Sequence, residues 1–446
     1  MHNSWNLLNK LQQKIYITVK FKFWVSHFIA LLWMAFSVII SFPWIHDLAK
    51  IVTYPIAIAI ISGISYIPGY LNAFLIISLL FDKQPKFKNE NPTEPVTILI
   101  AAFNEEKRIY NTLKYIKNQD YHGKITILVI DNASNDQTVA EVNRAIDELQ
   151  LNIKLLHEKR RGKFYALNYG LQWAKTNFVI TLDADTILHS SAVRNLIARI
   201  ESSPNDVAAV AGSILVRNSR ENLWTKIQEW DYFLGIASIK RLQGLYQGTL
   251  VAQGAFSIYR IKDLKEIGGW PNAIGEDIVV TWRLLEKKRK IYFEPLAVAF
   301  TDVPASLIQF IRQRSRWARG MIEGLQAIKP WEQPQLYTKY LTGVNLIMPF
   351  LDITYTLFWI PGLILALFGH YWIVGPMTLL VLPLTLISFG VLYLYQKRFV
   401  FRPLNLKIRN NTIGFICFIL FYQIIMSPVS TYGYIQEFLK MERKWK

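Results

Sequence analysis

Cysteine is nearly absent from this chain: Cys417 stands alone among 446 residues, inside an apolar run. That excludes a disulfide framework and any thiolate metal cluster. Acidic side chains are also in deficit, 32 Asp and Glu against 50 Lys and Arg, for a formal charge of +18. Such an excess fits nucleic acid, and it equally fits the basic loops that flank membrane spans at an anionic bilayer. With 52% hydrophobic residues and a mean hydropathy of +0.20 the chain is too apolar for an ordinary soluble protein. The membrane reading is preferred, and no nucleic-acid partner is expected. No small-residue cleavage site follows the first apolar run, residues 24–45, so that run reads as a span and not as a removable signal.

The pattern predicts four parts. Residues 1–81 are an N-terminal tail and two spans. Lys10, Lys14, Lys20 and Lys22 precede the first span without any acid, which places that end in the cytoplasm. The second run, residues 51–81, is long for one helix, and Pro55, Gly63 and the Pro68-Gly69 pair predict a kink in it. Residues 82–304, entered through the polar linker DKQPKFKNENPTEP, have the composition of a soluble domain, which this count puts on the cytoplasmic side. Residues 305–340 read as amphipathic interface helices. Residues 341–446 hold apolar runs at 341–369, 371–395 and 412–435 and a basic tail. The loop QKRFVFRPLNLKIRNN carries Lys397, Arg398, Arg402, Lys407 and Arg409 with no acid, so it belongs inside. Five spans then leave the tail outside, although it contains Lys440, Arg443, Lys444 and Lys446. Asp352 lies within an apolar run, where an acid is either functional or an interfacial helix start.

Within residues 82–304, short apolar runs alternate with helical patterns: VTILIA (96–101), KITILVI (124–130), IKLL (153–156), FVITLD (178–183) and VAAVAG (207–212). This predicts an α/β domain with a mostly parallel sheet covered on both faces, and ligands beyond the carboxyl ends of its strands. Polar motifs sit at three of those ends, AAFNEE, DNASNDQT and DADT. Asp183 and Asp185, one residue apart, can aim two carboxylates at a hard divalent cation, or build a helix cap or Asx-turn. Glu276 and Asp277 open a helical pattern, either complementing its dipole or supplying a general base. Lys163 follows KRRG at another helix start and could reach a phosphate.

Residues 306–325, SLIQFIRQRSRWARGMIEGL, predict a helix on which Leu307, Ile311, Ala318, Ile322 and Leu325 share a sector of about 60°. Gln313, Arg316 and Trp317 fall on the opposite face. Such a helix can lie on the bilayer while presenting two donors and an indole to the domain, or simply bind anionic lipid. The aromatic run from Trp224 to Trp270 fits core and sugar stacking equally.

The motifs AAFNEE, DNASNDQT, RGKFYALNYG, DADT, AQGAFSIYR, GED and QRSRW, within residues 96–320, resemble in order and spacing the membrane-bound processive family 2 glycosyltransferases. These are the synthases of cellulose, chitin, hyaluronan and poly-N-acetylglucosamine. EDIVVTW before a basic helix, the YFEP segment and the placing of the spans are most similar to the poly-N-acetylglucosamine type. The resemblance implies a GT-A fold, a UDP-sugar donor and Mg2+ or Mn2+. It implies that Phe103, Asn104, Glu105, Asp131, Lys163, Asp183, Gln313 and Arg316 hold the UDP, that Asp185 with Asp183 holds the metal, and that Asp277 beside Glu276 is the base. Gln253, Gly254, Tyr259, Arg260 and Trp317 would contact the acceptor. Phe103 stands where relatives often have Tyr, and Gly275 where many have Thr.

The expected function is inverting, processive transfer of N-acetylglucosamine to a β-linked polysaccharide, with export across a bacterial plasma membrane. Expected partners are the growing polysaccharide, the lipid bilayer and a small accessory membrane subunit. The alternatives are another polymer (hyaluronan, chitin or a cellulose-like chain), one sugar added to a membrane lipid, or a silent transporter or scaffold.

Overall fold

The computed structural model describes residues 17–375 and 381–442, and the chain divides into two compact units, Met1–Lys83 and Gln84–Lys446. In the first unit, the helix Val19–Ile40 begins at Thr18, whose side chain accepts the Phe21 amide and so satisfies one orphan donor. A second helix runs through Tyr54–Leu80 without a break. Pro55 falls at a first-turn position, where no intrahelical amide is lost, and Pro68 lies inside the continuous helix just after its irregular turn. The irregularity expected around Gly63 takes the form of a π-helical turn, Ser62–Tyr66.

The second unit is built on an eight-stranded sheet in the order β3-β2-β1-β4-β7-β6-β8-β5. The strands are β1 Val96–Ala102, β2 Ile125–Asp131, β3 Ile153–His157, β4 Phe178–Leu182, β5 Ile187–Leu188, β6 Val207–Val216, β7 Phe256–Arg260 and β8 Lys290–Thr301. The first four pair in parallel, as do β6 and β8. β7 is antiparallel to both β4 and β6 and lies between them. Ile98, Ile100, Val129 and Ile180 are completely buried, each such side chain stabilising the fold by about 1.5–3 kcal/mol. The aromatic run is mostly core: Tyr246, Phe256 and Tyr259 are fully buried and Trp270 nearly so. The stacking alternative is thereby overturned for these four.

Three helices frame the sheet's carboxyl edge: α1 Lys163–Trp173, α2 Glu276–Glu286 and α3 Leu307–Ala327. Ser306 caps α3 by accepting the Gln309 amide. The apolar stripe of α3 does not face lipid along its length. Ala318, Ile322 and Leu325 are buried with Trp282 of α2 and Tyr434 of the last helix, α4 Thr412–Phe438. Among the described residues four helical segments are long and apolar enough to cross a membrane by length and composition: Val19–Ile40, Tyr54–Leu80, Leu336–Leu367 and Thr412–Phe438. The expected span at 371–395 includes residues 376–380, and the basic tail residues Arg443, Lys444 and Lys446 follow 442; both lie outside the described residues.

Candidate active site

The parallel order brings the ends of β1, β2 and β4 to one edge, and the loops that leave β1 and β2 are hydrogen-bonded to each other. The amide of Asn104 donates to Ser134 Oγ at 3.1 Å, and Asn104 Oδ1 accepts the Asn135 amide at 2.8 Å. The Glu105 amide donates to Thr138 Oγ1 at 2.7 Å. Asn104 holds a positive φ of 55°, a conformation Asn tolerates better than most side chains. Asp131 ends β2 with Oδ1 accepting the Ser134 amide at 3.2 Å, and His157 lies 3.4 Å from its Oδ2. The Phe103 ring lies 5.3 Å from the Arg161 guanidinium.

Gly162 turns the chain into α1 at a φ of +140°, which side-chain-bearing residues rarely adopt. Its amide donates to Asn132 Oδ1 at 2.7 Å, while Asn132 Nδ2 holds the carbonyls of Glu158 and Arg160. Sequence reasoning passed over Asn132, although it sits inside the DNASN motif. The turn delivers Lys163, whose Nζ lies 2.6 Å from Asp183 Oδ1 and 3.5 Å from Glu276 Oε1. Gly254 leaves the room for it, since a Cβ there would stand 2.5 Å from Lys163 Nζ. Burial opposes the ammonium charge, but Asp183 and Glu276 hold its pKa above the ordinary range.

Asp185 occupies the other side of the β4 end. Burial, Asp183 and Glu105 push its carboxyl up to about 6, against the pull of Arg108. Among the described residues no group of three His, Cys, Asp or Glu forms an all-protein metal cage. The pair Asp183 and Asp185 fits the hard cations that take one or two carboxylates and complete their shell with phosphate and water. Asp302, at the β8 end, receives Arg217 at 2.8 Å and Arg108 at 3.3 Å, and Arg108 lies 3.5 Å from Glu105. Nothing in the local sequence pointed to this ion-pair chain.

Glu276 is buried at the start of α2. Burial and Asp277 raise its carboxyl to about 7, with Lys163 acting in the opposite sense. The missed residue here is Lys240: it is buried, donates to the Val251 carbonyl at 2.8 Å, and burial lowers its pKa to about 8 although Asp277 opposes the shift. On α3, Arg316 is exposed and Gln313 Oε1 is buried with no hydrogen-bond partner. Trp317 is 37% exposed, so its ring can meet a ligand. It lies 4.1 Å from the Arg314 guanidinium, and Arg314 is buried against Asp231 at 2.6 Å. Arg319 pairs in turn with Glu437 of α4 at 3.0 Å. Two arginines of this helix are therefore internal braces and not lipid contacts.

The structure does not bring Arg260 to this edge, whereas the buried Tyr259 side chain lies within electrostatic reach of Asp277 and Glu276. β7 runs antiparallel to β4, so Phe256 pairs with Leu182 while Arg260 pairs with Phe178, roughly 13 Å further along the strand. Tyr259 is fully buried with its hydroxyl on the Ala252 carbonyl, and Arg260 donates to the carbonyls of Val207 and Ile200. Gln253 and Gly254 precede β7 and stay near the site; Gln253 Nε2 donates to the Gly212 carbonyl at 2.7 Å.

Residues 97–268 match the family model described as Glycosyl transferase family 2. The chain carries a family 2 glycosyl transferase domain. It is 33% identical over 268 residues to the poly-beta-1,6-N-acetyl-D-glucosamine synthase of Staphylococcus aureus, across 60% of this chain and 63% of that protein. The protein of the same description from Staphylococcus epidermidis is 31% identical over 270 residues, across 58% and 63%. The chain thus aligns with less than two thirds of these relatives' length. Among solved structures, a mannosyltransferase from Pyrobaculum calidifontis in complex with GDP-Man and Mn2+ superposes with a TM-score of 0.58 at 18% identity, covering 87% of this chain and 99% of that one. That likeness establishes the GT-A fold of the domain.

Proposed function

We propose that the protein transfers N-acetylglucosamine from its UDP conjugate to the end of a growing β-linked polysaccharide, with inversion and processively. The catalytic domain of residues 82–304 and the interface helices of 305–340 would face the cytoplasm of a bacterial plasma membrane, flanked by the spans of 1–81 and 341–446. The product would be exported across that membrane. The observation that carries the reading is the contact of Lys163 with both Asp183 and Glu276, which ties the DADT and GED motifs into one cluster around a buried cation. The staphylococcal relatives supply the sugar and the polymer, and the Pyrobaculum structure is an instance of this fold with a nucleotide sugar and Mn2+.

Uridine would lie against Phe103, with Asn104, Glu105 and Asp131 around it. Lys163, Gln313 and Arg316 would donate to the diphosphate, neutralising charge that grows as UDP leaves. Asp183 and Asp185 would hold a divalent cation, Mg2+ or Mn2+, which supplies Lewis-acid stabilisation of the leaving diphosphate. Asp277 would accept the proton of the acceptor hydroxyl as that oxygen bonds to the anomeric carbon and the bond to the diphosphate breaks on the opposite face. Trp317 would form the floor under the acceptor sugar, with Gln253 and Gly254 beside it.

The test is incubation of the purified membrane protein with separately labelled UDP-sugars, followed by linkage-specific hydrolases. A large product from UDP-N-acetylglucosamine, degraded by a β-hexosaminidase, is expected. A short, organic-soluble product would overturn processive polymerisation in favour of a lipid acceptor.

A further inference from the structure

A cavity of about 650 Å3 opens on the β5-β8 side of the sheet, and its lining includes none of Lys163, Asp183 and Glu276. This volume lies within the range of small-molecule sites. One wall is sheet, including Leu188 and Leu215; a second is the segment carrying Trp230 and Phe233; the third is the loop of Phe401, Lys407 and Arg409. That loop joins the helix Val381–Gln396 to α4 and is fastened at both ends. The rings of Phe233 and Phe401 meet edge to face at 5.0 Å, and Trp230 Nε1 donates to the Asn411 carbonyl at 2.9 Å. The cavity therefore lies where α4, the last candidate span, begins.

Its charges are unequal in their commitments. The Glu229 carboxylate on the wall already accepts from Arg220 at 2.8 Å and Asn411 at 2.6 Å. Arg217 is taken by Asp302. Lys407 and Arg409 are exposed and have no ion pair among the described residues. An apolar interior with two uncommitted cations beside a membrane helix matches an amphiphile with an anionic head.

We propose that this cavity binds an anionic phospholipid of the surrounding bilayer, with an acyl chain among Leu188, Leu215, Trp230 and Phe401 and the headgroup phosphate at Lys407 and Arg409. Occupancy is coupled to sugar transfer, because the cavity wall includes Arg217. From there the ion pairs run through Asp302 and Arg108 to Glu105, next to Asp185. The coupling rests on the proposed transferase activity; the binding does not.

The test uses the full chain in nanodiscs of phosphatidylcholine, with or without phosphatidylglycerol. Native mass spectrometry is expected to retain phosphatidylglycerol on the wild type, and the Lys407→Gln/Arg409→Gln double variant is expected to retain about fivefold less. Sugar transfer by the wild type should rise about fivefold with phosphatidylglycerol, the low end of typical coupling between sites, and the double variant should keep its rate in phosphatidylcholine without the rise. Phosphatidylglycerol whose acyl chains are brominated should quench the wild type more than Trp230→Phe. Equal retention by both proteins, or full displacement by soluble glycerol phosphate, would overturn the lipid site. Retention with no sugar transfer in any nanodisc would overturn the activity and leave the lipid site standing.

Discussion

Gly275 and Gly320 meet backbone to backbone: a Cβ on Gly275 would stand 2.7 Å from Gly320 Cα, and one on Gly320 2.8 Å from Gly275 Cα. This contact joins the start of α2 to the middle of α3, so it sets the acidic pair against the QRSRW helix. Glu323 adds to it by accepting the Gly275 amide at 3.0 Å. Gly275→Thr is expected to destabilise the protein by about 1–3 kcal/mol, as overpacking does. A lower thermal midpoint in detergent, with Gly275→Ala intermediate, is the measurement.

Asp277→Asn is expected to lower transfer by about 10²–10⁴-fold, the usual worth of a general base, while UDP affinity measured by calorimetry changes little. Wild-type turnover in this variant would remove Asp277 from the mechanism.

The raised carboxyl of Glu276 gives a pH dependence of known sign. Its pKa is about 7 in the fold against an ordinary value of 4.5, so between these values the folded state holds a proton that the unfolded chain releases. Stability from this group is full below 4.5 and is lost as pH rises through about 7. Thermal unfolding of Glu276→Gln should show a flatter pH profile across this window than the wild type.

Arg314→Met leaves Asp231 as a buried carboxylate without its 2.6 Å partner. Loss of a buried partner is expected to cost about 3–5 kcal/mol. Asp231→Asn with Arg314→Met should recover part of this in the same melting assay, and failure to recover any would show that the pair is not coupled.

Asp185→Asn is expected to raise the Mg2+ or Mn2+ concentration needed for half-maximal transfer and to weaken the metal-dependent part of UDP binding. Nucleotide binding in the presence of chelator should be preserved.

Much of this could be read along the chain because it depends on neighbours in sequence. The runs VTILIA and KITILVI are strands because nearly every residue in them is apolar, which only a sheet covered on both faces can bury. The position of Asp183 after FVITL, and of Glu276 at a helix start, follow from the same local patterns. Spacing singles out Arg316 beside Gln313 and Trp317, but the roles of Arg314 and Arg319 on the same helix are not legible in it. Those roles exist because Asp231 and Glu437, 83 and 118 residues away, stand beside these two arginines.

The sequence by itself determined the apolar segments, the α/β alternation and the motifs, because hydrophobic period and turn chemistry act over a few residues. Only the tertiary structure decided that β7 runs against β4, which carries Arg260 away from the edge that Gln253 and Gly254 reach. It alone placed Lys163 between two acids that lie far apart along the chain, and Gly275 against Gly320. These are choices of strand order and helix contact, made by which distant surfaces bury best together, and no local window contains both partners.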